Sequence, residues 1–274
     1  MSFSKYSFSH LRTLIFMVLL SGLTAMILSF VVVAFRERQE EAKAVDRNKQ
    51  LLIAARVMNH DHSFLLYRNG EYLPAYHIGK GVLELGKKKA SFEDIIEVYR
   101  SRVTSAFVTP YGEESETETP LPVYIVRDEM AQVMSYVFPV QGFGLWDKLV
   151  GYIAIDGDGQ TIIGISWYEE KETPGLGGMI NDPVWQNQFF GKKIFLPDEK
   201  GMIDVETSRI GILVVKGTVA EIIGDTPQAI NAVDGVAGAT MTSMGVARAY
   251  HRSLEPYRAF LKRLSKDYDK RGGT

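Results

Sequence analysis

Leu149-Val150-Gly151-Tyr152-Ile153-Ala154-Ile155-Asp156-Gly157-Asp158-Gly159-Gln160-Thr161-Ile162-Ile163-Gly164-Ile165-Ser166-Trp167-Tyr168 is the segment from which the fold class follows. Two runs rich in β-branched and aromatic residues, Leu149–Ile155 and Thr161–Tyr168, flank the turn signal Asp156–Gly159. The pattern predicts a β-hairpin. Upstream, Val123–Val126 and Val133–Phe138 also read as strands. No helix-length segment separates the four runs. The sheet is therefore expected to be largely antiparallel and the fold class α+β. Asp156, Asp158 and Gln160 have a calcium-loop look, but the distal Glu of an EF-hand is missing. The segment is read as a turn.

Moving outward, Gly142-Phe143-Gly144-Leu145-Trp146 is a glycine-aromatic turn. Glu172-Thr173-Pro174-Gly175-Leu176-Gly177-Gly178 is a shaped loop: Pro174 fixes its own φ, and the glycines allow positive φ. Its backbone N–H groups are expected to be exposed, although a purely structural turn has the same composition. Trp185–Phe190 reads as a short helix. Ile210–Val215 reads as a last strand if Gly211 is tolerated inside it. Asp225–Ile230 opens another short helix.

Next comes Asp234-Gly235-Val236-Ala237-Gly238-Ala239-Thr240-Met241-Thr242-Ser243-Met244-Gly245. Its first half is too small to shield the backbone. Its second half carries three hydroxyls, and Val246, Tyr250 and Leu254 then mark a helix. A small-residue loop thus delivers hydroxyls to a helix N-terminus, where an anion, phosphate above all, is favoured. Locally, Thr240, Thr242 or Ser243 acting as a plain helix cap explains the same residues. The helix is interrupted at Pro256 and resumes through Tyr257, Leu261, Leu264 and Tyr268.

Towards the N-terminus, Thr13 to Phe35 runs 23 residues without a charge. That length spans a hydrocarbon core. It is longer than a signal-peptide core and ends on Val-Val-Val-Ala-Phe-Arg, which suits an uncleaved anchor. Basic residues lie on both sides of the span, Lys5 and Arg12 before it and Arg36, Arg38, Lys43, Arg47 and Lys49 after it. Charge alone leaves the orientation open, because the positive-inside rule weakens before a long domain. Ser21, Ala25 and Ser29 repeat every four residues, a spacing that admits a partner helix. Residues 36–50 read as a charged helical extension, and Gln50–Met58 as an amphipathic helix. Phe64–Tyr76 with Asn69-Gly70 reads as a hairpin. Ser91–Arg100 reads as a Ser-capped helix, and Glu113–Thr119 as an acidic loop.

The 274 residues carry 31 basic and 33 acidic side chains, net charge −2. No basic face for nucleic acid is indicated. Cysteine is absent, so this chain supplies no disulfide, zinc–thiolate site or cysteine-ligated cluster. His60-Asp61-His62, the one close histidine pair, reads as solvated loop rather than metal site.

Three segments in order, Gly144-Leu145-Trp146, Glu172–Gly178 and Asp234–Thr240, resemble the C-type subunit of the sodium-translocating NADH:quinone reductase. The single N-terminal span and the Asn48–Ala55 helix fit as well. The second and third segments are also shared with the G-type subunit of the related Rnf complex; Gly144-Leu145-Trp146, Trp185 and Gly191-Lys192-Lys193 favour the quinone reductase. The resemblance implies a membrane-anchored α+β flavoprotein with a largely antiparallel sheet. It implies FMN esterified through its phosphate to the last Thr of the Asp-x-x-(Ser/Thr)-Gly-Ala-Thr motif, here Thr240. Ala237 stands where that motif has Ser or Thr. A periplasmic flavin transferase is implied as maturation partner, and a soluble domain on the periplasmic side of the inner membrane. Other subunits of a membrane redox complex are implied too: electrons pass between a membrane iron–sulfur centre and another flavin subunit, with ubiquinone as final acceptor. No complete active site is expected in this chain alone. The cofactor-site candidates are Thr240, Asp234, Gly238, Ala239, Thr242, Glu172, Thr173, Gly175, Leu176 and Gly177. The division expected is 1–12 N-terminal segment, 13–35 span, 36–120 stalk and first part of the soluble domain, 121–256 FMN-binding domain, 257–274 C-terminal helix and tail. A non-redox anchored binding or assembly subunit is one alternative; a hydrolase using Ser243 or Thr240 ranks last, since no Ser-His-acid arrangement can be argued from the sequence.

Overall fold

The structure, a computed structural model, describes residues 4–110 and 119–272. The chain divides into two compact units, Met1–Val45 and Asp46–Thr274. Helix α1 (Ser4–Ala54) runs through the first and into the second. Its apolar stretch has mean hydropathy 2.5 and none of it is buried within the protein. The hydroxyls of Ser21 and Thr24 bond back to carbonyls of the preceding turn, which removes their cost in hydrocarbon.

In the second unit the last turns of α1 become core: Leu51, Leu52, Ile53 and Ala54 are all buried. The helix ends at Ala54 and does not continue to Met58 as the sequence suggested. Arg56 takes φ +53° there. Its guanidinium bonds Ile163 O at 2.8 Å and lies 3.9 Å over the Phe190 ring. These distant partners outweigh local helix propensity.

A three-stranded antiparallel sheet follows, β1 (Phe64–Arg68), β2 (Glu71–Gly79) and β3 (Val82–Leu85). The β1–β2 turn has positive φ at both Asn69 and Gly70, as a type I′ turn requires. Helix α2 (Phe92–Arg102) starts with a capping box between Ser91 and Asp94. Glu113–Glu118 of the acidic loop lie outside the described residues.

The main sheet has the order β4 (Val103–Val108), β5 (Leu121–Arg127), β6 (Val133–Phe143), β7 (Lys148–Ile155), β8 (Ile162–Glu169), all antiparallel. Strand β6 runs through Gly142 and Phe143, so the predicted glycine-aromatic turn narrows to Gly144–Asp147, closed by Gly144 N–H donating to Asp147 O. Successive β8 residues face opposite ways. Ser166 donates to Gln50 O at 2.7 Å on one face, and Trp167 meets Tyr250 at 5.6 Å between ring centroids on the other. Both faces of β7 and β8 are therefore covered, which explains their near-continuous burial.

Asp182 caps the short helix α3 (Pro183–Asn187) by accepting from Val184 N–H. The expected strand at 210–215 is not in the main sheet. Gly211 takes φ +124°, and a Cβ there would stand 3.1 Å from the His251 backbone. Ile210 makes one isolated antiparallel bridge to Phe195, and β9 (Leu213–Val214) pairs in parallel with β10 (Ala232–Val233). Between them lies α4 (Val219–Ile222). Helix α5 (Thr240–Leu254) crosses β6, a 3₁₀ turn at Glu255–Tyr257 accommodates Pro256, and α6 (Arg258–Lys270) completes the chain. Phe138, Ile153, Trp167, Phe189, Phe195, Tyr250 and Leu254 form the core between sheet and α5.

Candidate functional site

The site forms where the loop 234–239 enters α5. Its N-cap residue is Ala239, and no side chain caps the helix. The capping role open to Thr240, Thr242 and Ser243 is thus unfilled, and each hydroxyl has another fate. Ser243 Oγ accepts from Val236 N–H at 3.0 Å and folds the loop onto the helix. Thr242 Oγ1 donates to Glu172 Oε2 at 2.5 Å and is buried. Thr240 is exposed. The N–H groups of the first turn keep their positive end without a side-chain acceptor. Gly238, at φ +73°, brings the loop against Leu176: a Cβ there would stand 3.0 Å from Leu176 Cδ2.

The 172–178 loop is tied to this helix start. Glu172 is buried, and its Oε1 accepts from Leu145 N–H at 2.9 Å and Trp146 N–H at 3.0 Å. Gly175 takes φ +74° and is exposed, and Gly177 is buried against Glu172 and Thr242. Thr173 is exposed, and its Oγ1 accepts from Trp146 Nε1–H at 3.2 Å. Leu176 and Trp146 present apolar surface at 45% and 69% exposure. Trp146 is the site residue that motif reasoning used only for resemblance. A tryptophan beside a glycine turn was the signal available in the sequence.

Asp234 is half-buried, and its hydrogen bonds run to other elements than this cluster. Its Oδ1 accepts from Val219 N–H at the start of α4, its carbonyl accepts from Trp185 Nε1–H, and its N–H donates to Gln188 Oε1. Gly235 packs so closely on Val215 that a Cβ would meet the carbonyl oxygen at 2.2 Å. Strand and loop together border a cavity of about 500 Å³ lined by Lys216, Thr218, Ala237, Gly238, Thr240 and Met244 among others. Thr240, Thr242, Gly238, Ala239, Glu172, Thr173, Leu176 and Gly177 are thus brought into one cluster, and Asp234 lines the cavity beside Gly238 and Thr240. No group of three or more potential metal ligands occurs among the described residues.

Residues 144–255, which hold all of this geometry, match the FMN-binding domain family. The chain is 34% identical to the C-type subunit of the Na(+)-translocating NADH-quinone reductase of Chlamydia pneumoniae, over 91% of each chain. It is also 34% identical to that of Chlamydia trachomatis, over 90% of each. The crystal structure of the corresponding subunit from Parabacteroides distasonis superposes with TM-score 0.56 at 28% identity, covering 83% of this chain and 96% of that one. The chain belongs to the NqrC family, the C-type subunits of the Na(+)-translocating NADH-quinone reductase. NqrC is one part of a multi-subunit membrane oxidoreductase, and the N-terminal apolar helix fits its membrane anchor. The fold class read from the hairpin at 149–168 is that of the family.

Proposed function

We propose that this chain carries FMN covalently, through a phosphoester to Thr240, and serves as a one-electron relay of the reductase. The observation that carries the reading is the fate of the three hydroxyls at the start of α5. Thr242 and Ser243 are engaged inside the protein, and Thr240 alone among them is exposed. The surroundings fit the group. The uncapped first turn of α5 suits a phosphodiester anion. Gly238 and Ala239 leave an incoming phosphorus unshielded. Leu176 and Trp146 offer an apolar wall for a flat ring, with the Thr173 hydroxyl beside them for a polar ring contact. Asp234, Thr242, Glu172, Gly175 and Gly177 shape these elements.

Attachment takes a periplasmic flavin transferase and FAD. Thr240 Oγ bonds to the phosphorus of the FMN half, the bridging P–O bond breaks, AMP leaves with the electron pair, and the hydroxyl proton passes to a base. Bound FMN supplies one-electron chemistry, and the protein's part is to fix its position and surroundings. Electrons then pass between a membrane iron–sulfur centre and another flavin subunit, with ubiquinone as the final acceptor. Ala237 removes one hydroxyl from the motif, yet Asp234, Gly238, Ala239 and Thr240 remain, and attachment is expected to survive.

The test is co-expression of the native chain and Thr240→Ala with the transferase, followed by denaturing electrophoresis. The native band is expected to keep flavin fluorescence and the variant to lose it. A fluorescent Thr240→Ala band overturns the assignment.

A further inference from the structure

Glu172 stands where the three motif segments meet. It is a carboxylate at 6% exposure with three donors, Leu145 N–H, Trp146 N–H and the Thr242 hydroxyl. Two glycines make room for it. A Cβ on Gly144 would stand 2.3 Å from its Oε1, and one on Gly177 would stand 2.6 Å from its Oε2. Hydrogen bonds to an ionised acceptor are stronger than neutral ones, and a buried carboxylate is costly without them. The same cluster reaches the exposed groups. Trp146 Nε1–H donates to Thr173 Oγ1, and Thr173 O accepts from Leu176 N–H and Gly178 N–H.

Resting on the reading of Thr240 as the flavin-bearing residue, we propose that Glu172 is a positioning residue of that site. It ties the Gly144–Trp146 turn to the first turn of α5. Through Trp146 and Thr173 it thereby sets where the ring-facing groups stand relative to Thr240. The three hydrogen bonds of its carboxyl group go to protein groups, so its effect on the flavin passes through them. A Gln at this position keeps the shape: its amide oxygen accepts the two N–H groups and its amide nitrogen donates to Thr242 Oγ1. An Ala releases all three donors.

The test uses the full-length chain with Glu172→Ala and Glu172→Gln, each with native Thr240 and in the flavin-free Thr240→Ala background. Acrylamide quenching of tryptophan fluorescence reads Trp146, because Trp167 and Trp185 are only 3% and 7% exposed. In the flavin-free chain, Glu172→Ala is expected to raise the quenching and Glu172→Gln to leave it near native. In the flavin-bearing chain, Glu172→Ala is expected to lose the visible circular dichroism that the surroundings impose on the flavin, and Glu172→Gln to retain it. Native quenching and native flavin dichroism in a folded Glu172→Ala chain overturn the proposal. If that chain does not fold, Thr242→Val, which removes one of the three donors, is read instead. It must shift both signals in the same direction, and no shift overturns the proposal. If the native chain bears no flavin at Thr240, the flavin reading fails by itself, and the quenching series still decides the role of Glu172.

Discussion

Thr240 and Gly238 are both exposed at the start of α5. Gly238 holds φ +73° and lies against Leu176. A β-branched residue there meets a poor backbone region and the leucine together, at a cost of about 2 kcal/mol. Gly238→Val is therefore expected to lower the thermal midpoint in a denaturation scan and to slow flavin attachment. Unchanged stability would mean the loop relaxes around the new side chain. The hydroxyl pattern at this scale was only half legible. The sequence shows three hydroxyls at a helix start, which by themselves read as a cap before they read as a phosphate site. The Thr242 hydroxyl goes instead to Glu172, 70 residues away, and no local pattern reveals such a partner. The outward-facing indole of Trp146 and its bond to Thr173 are hidden for the same reason.

The β7–β8 hairpin is the element that was easiest to read, because its turn is built locally. Asp158 accepts from the N–H groups of Gln160 and Thr161, from the Thr161 hydroxyl, and from the Lys193 ammonium at 3.0 Å. Burial pushes its carboxyl up, but these bonds together hold it below the usual carboxylate range. A depressed folded value stabilises the protein above the unfolded value, near pH 4, and that gain is lost as pH falls through the folded value. Asp158→Asn is expected to cost about 2 kcal/mol at neutral pH. Its deficit should narrow below about pH 4 as the native carboxyl is protonated. Denaturant titrations at several pH values check this, and a deficit independent of pH contradicts it. Elements were misread where distant packing sets the backbone. Gly211 turns out of strand conformation to pass His251, and Arg56 ends α1 to reach Ile163 and Phe190. Strand β4 was not anticipated because it follows α2 with no turn residue between them: Val103 is both the C-cap and the first strand residue.

At the scale of the whole chain, an apolar helix leads into a domain that carries its candidate cofactor residue on an exposed loop–helix junction. Charge did not orient the anchor, since basic residues flank it on both sides. The absence of cysteine makes orientation measurable. Lys200 is exposed, so Lys200→Cys places a single accessible thiol in the second unit. A membrane-impermeant maleimide is expected to label it in cells with a permeabilised outer membrane and an intact inner one. Labelling only after the inner membrane is broken would put the domain in the cytoplasm, out of reach of a periplasmic transferase. The most direct measurement is mass spectrometry of the Thr240 peptide from the chain isolated from its own host's membranes. The expected peptide carries the mass of FMN less one water, with fragmentation placing it on Thr240. An unmodified peptide from a host that contains the transferase, or the same mass on another residue, contradicts the assignment.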